Sequence, residues 1–243
     1  MAKIFITGST DGIGLLAAQS LMEQGHEVVW HARSEKRADE LKEKVPQVKT
    51  VLIADLSKTE EVKRLAEEVN KQGHFDAVIH NAGVWSGNAV MPVNVIAPYL
   101  LTSLIDMPER LVFLSSGMHK SGNAVLEDVD WTGHTEGSYS DSKLFITTLA
   151  VALALKYPQT YVNAVDPGWV PTKMGGAGAT DDLTLGHQTQ EWLATSTDKE
   201  ALTSGGYWYH KSLQKPHEAV NDTQFQQALL RKLAQETGVE LTE

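Results

Sequence analysis

Tyr139 and Lys143 stand four residues apart in YSDSK, a spacing that puts a phenol and an amine on one face of a helix about one turn apart. In an arbitrary helix such a pair is a solvated surface pair. Beside a reactive oxygen it is more useful. A phenol ionises near pH 10, too high for efficient proton exchange at neutrality, and a neighbouring ammonium favours the phenolate. The pair therefore suits general acid/base work, with Lys143 expected to draw Tyr139 toward the working pH. Upstream, SSG offers Ser115 or Ser116 as a hydroxyl donor to charge developing on the same oxygen. A second cluster, TGSTDGIG, places Gly8, Gly12 and Gly14 between an apolar run and a helical pattern. Either it is a tight strand-to-helix turn, or its bare N–H groups face a diphosphate at a helix N-terminus.

Such groups need a scaffold. Apolar, β-branched runs near Lys3–Thr7, Glu27–His31, Lys49–Ala54, Asp76–His80, Arg110–Ser115, Thr160–Val165 and Gly206–His210 alternate with helical patterns. This alternation predicts βα units: one domain over residues 1–243, built as a Rossmann-type doubly wound parallel sheet of about seven strands with helices on both faces. In EEVKRLAEEV, Val62, Leu65, Ala66 and Val69 form one apolar stripe, with Ser57 and Glu60 as a capping box ahead of it. Gly25 is placed as a C-terminal helix cap. Open α/β sheets bind ligands beyond the carboxyl ends of their strands, where the YSDSK helix begins. Two long irregular stretches stand out, at 117–137 and 170–204; the first is a lid or a surface insertion, the second a flap over the groove.

Composition narrows the functions. The net charge of −10 speaks against a broad nucleic-acid surface, and the absence of cysteine excludes thiolate chemistry and disulfides. The nine histidines contain no HExxH, so no metal site is expected. No apolar run reaches the ~20 residues of a membrane span, and Met1-Ala2-Lys3 leads straight into a strand, so a cytoplasmic protein without a signal peptide is expected.

With the strand–TGSTDGIG–helix context in place, the chain resembles the short-chain dehydrogenase/reductase family over nearly its whole length. The motifs follow in the family's order: ADL at Ala54–Leu56, HNAG at His80–Gly83, VNV at Val93–Val95, SSG at Ser115–Gly117, YSDSK at Tyr139–Lys143 and DPGWVPT at Asp166–Thr172. The tail, and the long interval from Ser116 to Tyr139, are similar to its retinol-dehydrogenase-like and carbonyl-reductase-like branch. The resemblance implies that Tyr139 is the acid/base, Lys143 its tuner and the anchor of the nicotinamide ribose, and Ser116 the carbonyl donor. Asn94 would hold a relay water; its plainer reading is an asparagine bonding to local backbone.

It also implies cofactor contacts from Gly8, Ser9, Thr10, Gly12, Ile13 and Gly14 at the turn, and from Asn81, Ala82 and Gly83 beneath the dinucleotide. Pro167, Gly168, Val170 and Thr172 would run past the nicotinamide. Asp55, beside Leu56, would meet the adenine amino group, or is simply an acid at a helix start. Where an NAD-selecting acid is expected the chain has Ala32, followed by Arg33 and Ser34, with Lys36 or Arg37 in support. A guanidinium suits a 2′-phosphate, so NADP(H) is expected, although Asp11 opposes it. The expected activity is reduction of aldehydes or ketones, small and lipophilic, with Trp85, Trp169 and Met174 near the pocket. Alternatives are alcohol oxidation with NAD(P) and a non-catalytic NADP(H) sensor. The family often forms homo-oligomers through the helices bearing Asn94 and Tyr139. No role follows for Asp166.

Overall fold

The computed structural model describes residues 1–242. Eight strands make one sheet: β1 (Lys3–Ile6), β2 (Glu27–Ala32), β3 (Thr50–Ile53), β4 (Ala77–His80), β5 (Arg110–Leu114), β6 (Tyr161–Asp166), β7 (Tyr207–Tyr209) and β8 (Ser212–Gln214). Their spatial order is β3-β2-β1-β4-β5-β6-β7-β8, parallel except for the final antiparallel pair. The order reverses between β1 and β4, which opens a crevice there.

Strand alternation divides the core. Ile4, Ile6, Ala77, Ile79, Val112 and Leu114 point to one face, where α1 (Gly12–Glu23), α2 (Glu35–Lys44) and α6 (Leu183–Thr195) lie. Phe5, Val78, Leu111 and Phe113 point to the other, under α3 (Thr59–Lys71), α4 (Ala97–Leu104) and α5 (Tyr139–Lys156). The helix α7 (Thr223–Thr237) packs outside α5, so residues 142–153 of α5 are buried all round. Phe225 and Trp131 flank Phe145 from two sides, with ring centroids 6.2 and 5.4 Å away.

Several expectations need correction. An eighth strand, unforeseen, follows a two-residue turn in which His210 and Lys211 have φ of 47° and 60°. The capping box ahead of α3 is absent: Lys58 is the N-cap without a side-chain bond, Ser57 Oγ donates to Asp55 Oδ1 at 2.7 Å, and Glu61 reaches back to the Asp55 N–H. Gly25 does follow α1, with φ +87°. The 117–137 stretch opens with a 3-10 turn (Gly117–Ser121) and buries Leu126 and Trp131. Of the 170–204 stretch, α6 is packed on the sheet, and its Glu191 accepts the Ser20 hydroxyl of α1 at 2.6 Å. The part that borders the groove is confined to residues between β6 and α6.

Among the described residues no helix is long and apolar enough to cross a membrane.

Candidate active site

A groove of about 1280 Å³ runs across the carboxyl ends of β1, β4, β5 and β6. At one end sits the glycine turn. Gly8 and Gly12 have φ of +64° and +55°, a region that disfavours any side chain, and a β-carbon on Gly8 would lie 2.9 Å from Ala82 Cα. On Gly14 it would collide with Asn81 and with the Gly8 carbonyl, at 2.6 Å from the latter. Asn81 Nδ2 donates to the Thr7 carbonyl at 2.9 Å, while its buried Oδ1 has no partner among the described residues. A narrow, side-chain-free cradle ending on the first turn of α1 fits the diphosphate of a dinucleotide.

Asp11 caps α1 through the Gly12 N–H at 2.9 Å, and Arg37 and Lys173 pair with its other oxygen at 3.1 and 2.5 Å. The Lys173 bond holds its carboxyl at about 2, with the Gly12 N–H and Arg37 assisting against burial. The charge that opposed a phosphate is thus matched by two cations. Arg37 also pairs with Glu40 at 3.0 Å, whereas Arg33 is exposed on the groove wall.

At the other end, the first turn of α5 presents Tyr139 and Lys143 to the groove. Lys143 is buried, its Nζ donating to the Leu114 carbonyl at 2.8 Å and lying 5.5 Å from the centre of the Tyr139 ring. Burial pushes this amine down to about 8, against the pull of the Asp166 carboxylate. Trp85 leans on Tyr139 from the solvent side, centroids 4.7 Å apart. The two serines differ. Ser115 is buried and turned inward to Thr147 at 2.6 Å, while Ser116 Oγ accepts the Met118 N–H at 3.2 Å on the groove wall and neighbours the Tyr139 hydroxyl.

Over 256 aligned residues the chain is 40% identical to a short-chain dehydrogenase of Penicillium rubens, covering 99% of each. Residues 2–107 match the short chain dehydrogenase family. The chain belongs to this family. It is also 28% identical to a Streptomyces protein provisionally named a daunorubicin C-13 ketoreductase, over 86% of this chain and 83% of that one. A solved chain from Shigella flexneri, provisionally described as a short chain dehydrogenase and complexed with NADP, is 26% identical with a TM-score of 0.68, covering 87% of this chain and 97% of that one.

This short-chain dehydrogenase brings nearly all of the expected residues into one groove. Gly8, Thr10, Gly12, Ile13 and Gly14 line the groove at the turn, and Asn81, Ala82 and Gly83 line its floor. Arg33, Asp55, Leu56, Ser116, Pro167, Gly168, Val170 and Thr172 line it too. Three do not line it. Ser9 is fully buried and its Oγ accepts the His31 N–H at 2.9 Å; Ser34 caps α2. Asn94 sits in a π-helical turn (Pro92–Ile96), where Oδ1 accepts the Val84 N–H at 2.8 Å and Nδ2 donates to the Val84 carbonyl and to Ser142 Oγ, both at 3.0 Å. Its partners are distant in sequence, Val84 ten residues back and Ser142 on α5, and not the local backbone of its own turn. It still adjoins the site, because a β-carbon on Gly83 would be 3.4 Å from Asn94 Oδ1 and 3.5 Å from Lys143 Nζ. Asp55 Oδ1 is engaged by the Ser57 N–H and hydroxyl at 3.0 and 2.7 Å.

Burial pushes the Tyr139 phenol up to about 12, the neighbouring Ser116 lowering it and Asp166 raising it, while Lys143 Nζ is engaged by the Leu114 carbonyl. Sequence reasoning missed His31. Its Nδ1 accepts the Gly8 N–H and its Nε2–H donates to the Ala54 carbonyl at 3.0 Å, so the ring pins the glycine turn to the sheet. A histidine at the end of an otherwise apolar strand was the one available signal.

Proposed function

We propose that the protein is an NADPH-dependent reductase of aldehydes or ketones, working reversibly through Tyr139. What supports this most is the meeting of Tyr139, Ser116 and Lys143 on one groove wall that continues into the glycine cradle. The nicotinamide, when bound, supplies hydride to the carbonyl carbon. Tyr139 gives its proton to the carbonyl oxygen as the C=O bond becomes CH–OH. Ser116, free of the inward bond that occupies Ser115, donates to the same oxygen and stabilises its developing charge.

Lys143 holds a positive charge within 5.5 Å of the Tyr139 ring and is the group placed to orient a ribose. Asn94 fixes Val84 and adjoins Lys143 through Gly83, a location that suits proton return to the amine. Arg33 is the residue we assign to a 2′-phosphate, in keeping with the NADP held by the Shigella flexneri relative. Trp85, Trp169 and Met174 are each about half exposed on the groove wall, at 50, 55 and 49%, which favours lipophilic substrates.

Following the reduced-nicotinamide absorbance of NADPH and NADH with a panel of aldehydes, ketones and quinones, and of NADP and NAD with the corresponding alcohols, tests the proposal. Consumption of NADPH with a carbonyl substrate is expected. Tight binding without consumption of any panel member would instead indicate a sensor, and turnover confined to alcohols with NAD an oxidising dehydrogenase.

A further inference from the structure

Asp166 ends β6 and lines the groove with Ser116, Gly117 and Tyr139. Its two oxygens hold two different parts of the chain. Oδ1 accepts the Gly168 N–H at 2.9 Å, and Oδ2 accepts the Tyr207 hydroxyl at 2.9 Å. The Tyr207 ring lies against the imidazole of His119, centroids 4.5 Å apart. His119 is fully buried, and its Nε2 accepts the His217 N–H at 3.0 Å, which leaves the ring proton on Nδ1. Nδ1–H donates to the Ser116 carbonyl at 2.8 Å. A β-carbon at Gly117 would stand 3.0 Å from Asp166 Oδ2, so the carboxylate lies close beside the residue that follows Ser116 and leaves no room there for a side chain. Carboxylate, phenol, imidazole and serine carbonyl form one continuous string.

We propose that Asp166 is a positioning residue of the reductase reaction: it ties the Pro167–Gly168 turn to Tyr207 and His119, and so holds Ser116 where it and Tyr139 can share one substrate oxygen. The proposal rests on the reductase reading above. A string of this kind matters because small displacements of a reacting or donating group cost large factors in rate. The carboxylate also acts by its charge. After burial, which dominates at both groups, it favours the protonated form of Tyr139 and of Lys143 on α5. The other titratable groups facing it are His119 from the 3-10 turn and Tyr207 and Tyr209 from β7. Asp181 lies beyond Gly168, and Lys120 sits 5.9 Å above the Tyr207 ring.

The test compares Asp166→Ala, Asp166→Asn and Tyr207→Phe with the wild type, using NADPH and a carbonyl compound that the wild type reduces. Asp166→Ala is expected to lower kcat about ten- to a hundredfold while the NADPH dissociation constant stays within about threefold. Asp166→Asn keeps the shape and an acceptor for Gly168, so it recovers part of kcat, but the alkaline limb of its kcat profile moves to lower pH. Tyr207→Phe lowers kcat by a smaller factor and leaves that limb in place. Overturning results are a kcat for Asp166→Ala within about twofold of wild type, or an Asp166→Asn variant as slow as the alanine with its limb unmoved. If the wild type reduces nothing, the reductase reading falls by itself. Amide exchange then decides the string: Asp166→Ala must speed exchange of the Ser116–His119 and Gly168 amides about tenfold or more, and unchanged exchange removes the proposal.

Discussion

His31 Nδ1 accepts the backbone N–H of Gly8 at 2.9 Å, which makes a neutral imidazole part of the glycine turn. Burial holds this ring at about 4, below its ordinary 6.5, and holds buried His80, bonded to Thr102 at 3.1 Å, at about 3. In the unfolded chain both take a proton near 6.5, so between that pH and about 4 the unfolded state carries more protons. Their stabilisation is complete above 6.5 and is lost as the pH falls, at about 1.4 kcal/mol per pH unit for each ring. Urea midpoints measured across this window should fall, and His31→Gln should flatten the dependence; a level profile would contradict the burial of both rings.

Replacing Tyr139 with phenylalanine removes the hydroxyl of the α5 ring that Trp85 packs against. Turnover should drop by about a thousandfold, with NADPH affinity changed less than about threefold, because proton transfer and dinucleotide binding use different atoms. Reduced-nicotinamide absorbance gives the rate and tryptophan quenching the affinity. Near-normal turnover would show that another group supplies the proton.

Cofactor choice should depend on Arg33 far more than on Arg37, whose guanidinium is already engaged by Asp11 and Glu40 at 3.1 and 3.0 Å. Arg33→Ala is expected to weaken NADPH about ten- to a hundredfold and NADH hardly at all. Calorimetric titration with each reduced nucleotide measures the ratio, and equal losses for the two would remove Arg33 from the 2′-phosphate.

Gln190 lies on α6 with no exposure, and neither its Oε1 nor its Nε2 has a partner among the described residues. An amide in that position carries a desolvation cost without a compensating bond, so Gln190→Met should raise stability by about 1 kcal/mol. Denaturant unfolding at constant m-value reads the change; a loss would mean that the amide is satisfied in solution.

The outer sides of α4 and α5 are covered by the C-terminal segment. Tyr99 and Tyr157 donate to the carbonyls of Val239 and Thr242 at 2.8 and 2.7 Å, and α7 packs on α5. A monomer is therefore expected, and light scattering at micromolar concentration that returned twice the 26.6 kDa chain mass would refute it.

Much of this arrangement was legible because it is written in local patterns. The alternation of Ile4, Phe5 and Ile6 between two cores, the stripe of Val62, Leu65, Ala66 and Val69, and the glycine turn each show in a few consecutive letters. What stayed hidden depends on distant partners. Asp166 acquires its role from Tyr207, 41 residues along, and His31 from Gly8, 23 residues back. Ser57 and Glu60 fit the spacing of a capping box, but Asp55 takes the serine and Glu61 takes the return bond. β8 escaped notice because Ser212, Leu213 and Gln214 are all exposed and its turn uses histidine and lysine at positive φ instead of Asn-Gly.

That short last strand guards the rest. Tyr207, Trp208 and Tyr209 form an aromatic ribbon that, left at the rim of the sheet, would offer its unpaired amides to any passing chain. Ser212–Gln214 covers them with three residues flanked by Lys211 and Lys215, too brief and too cationic to invite an intruder in turn. Trimming it should leave a molecule that still folds yet clumps.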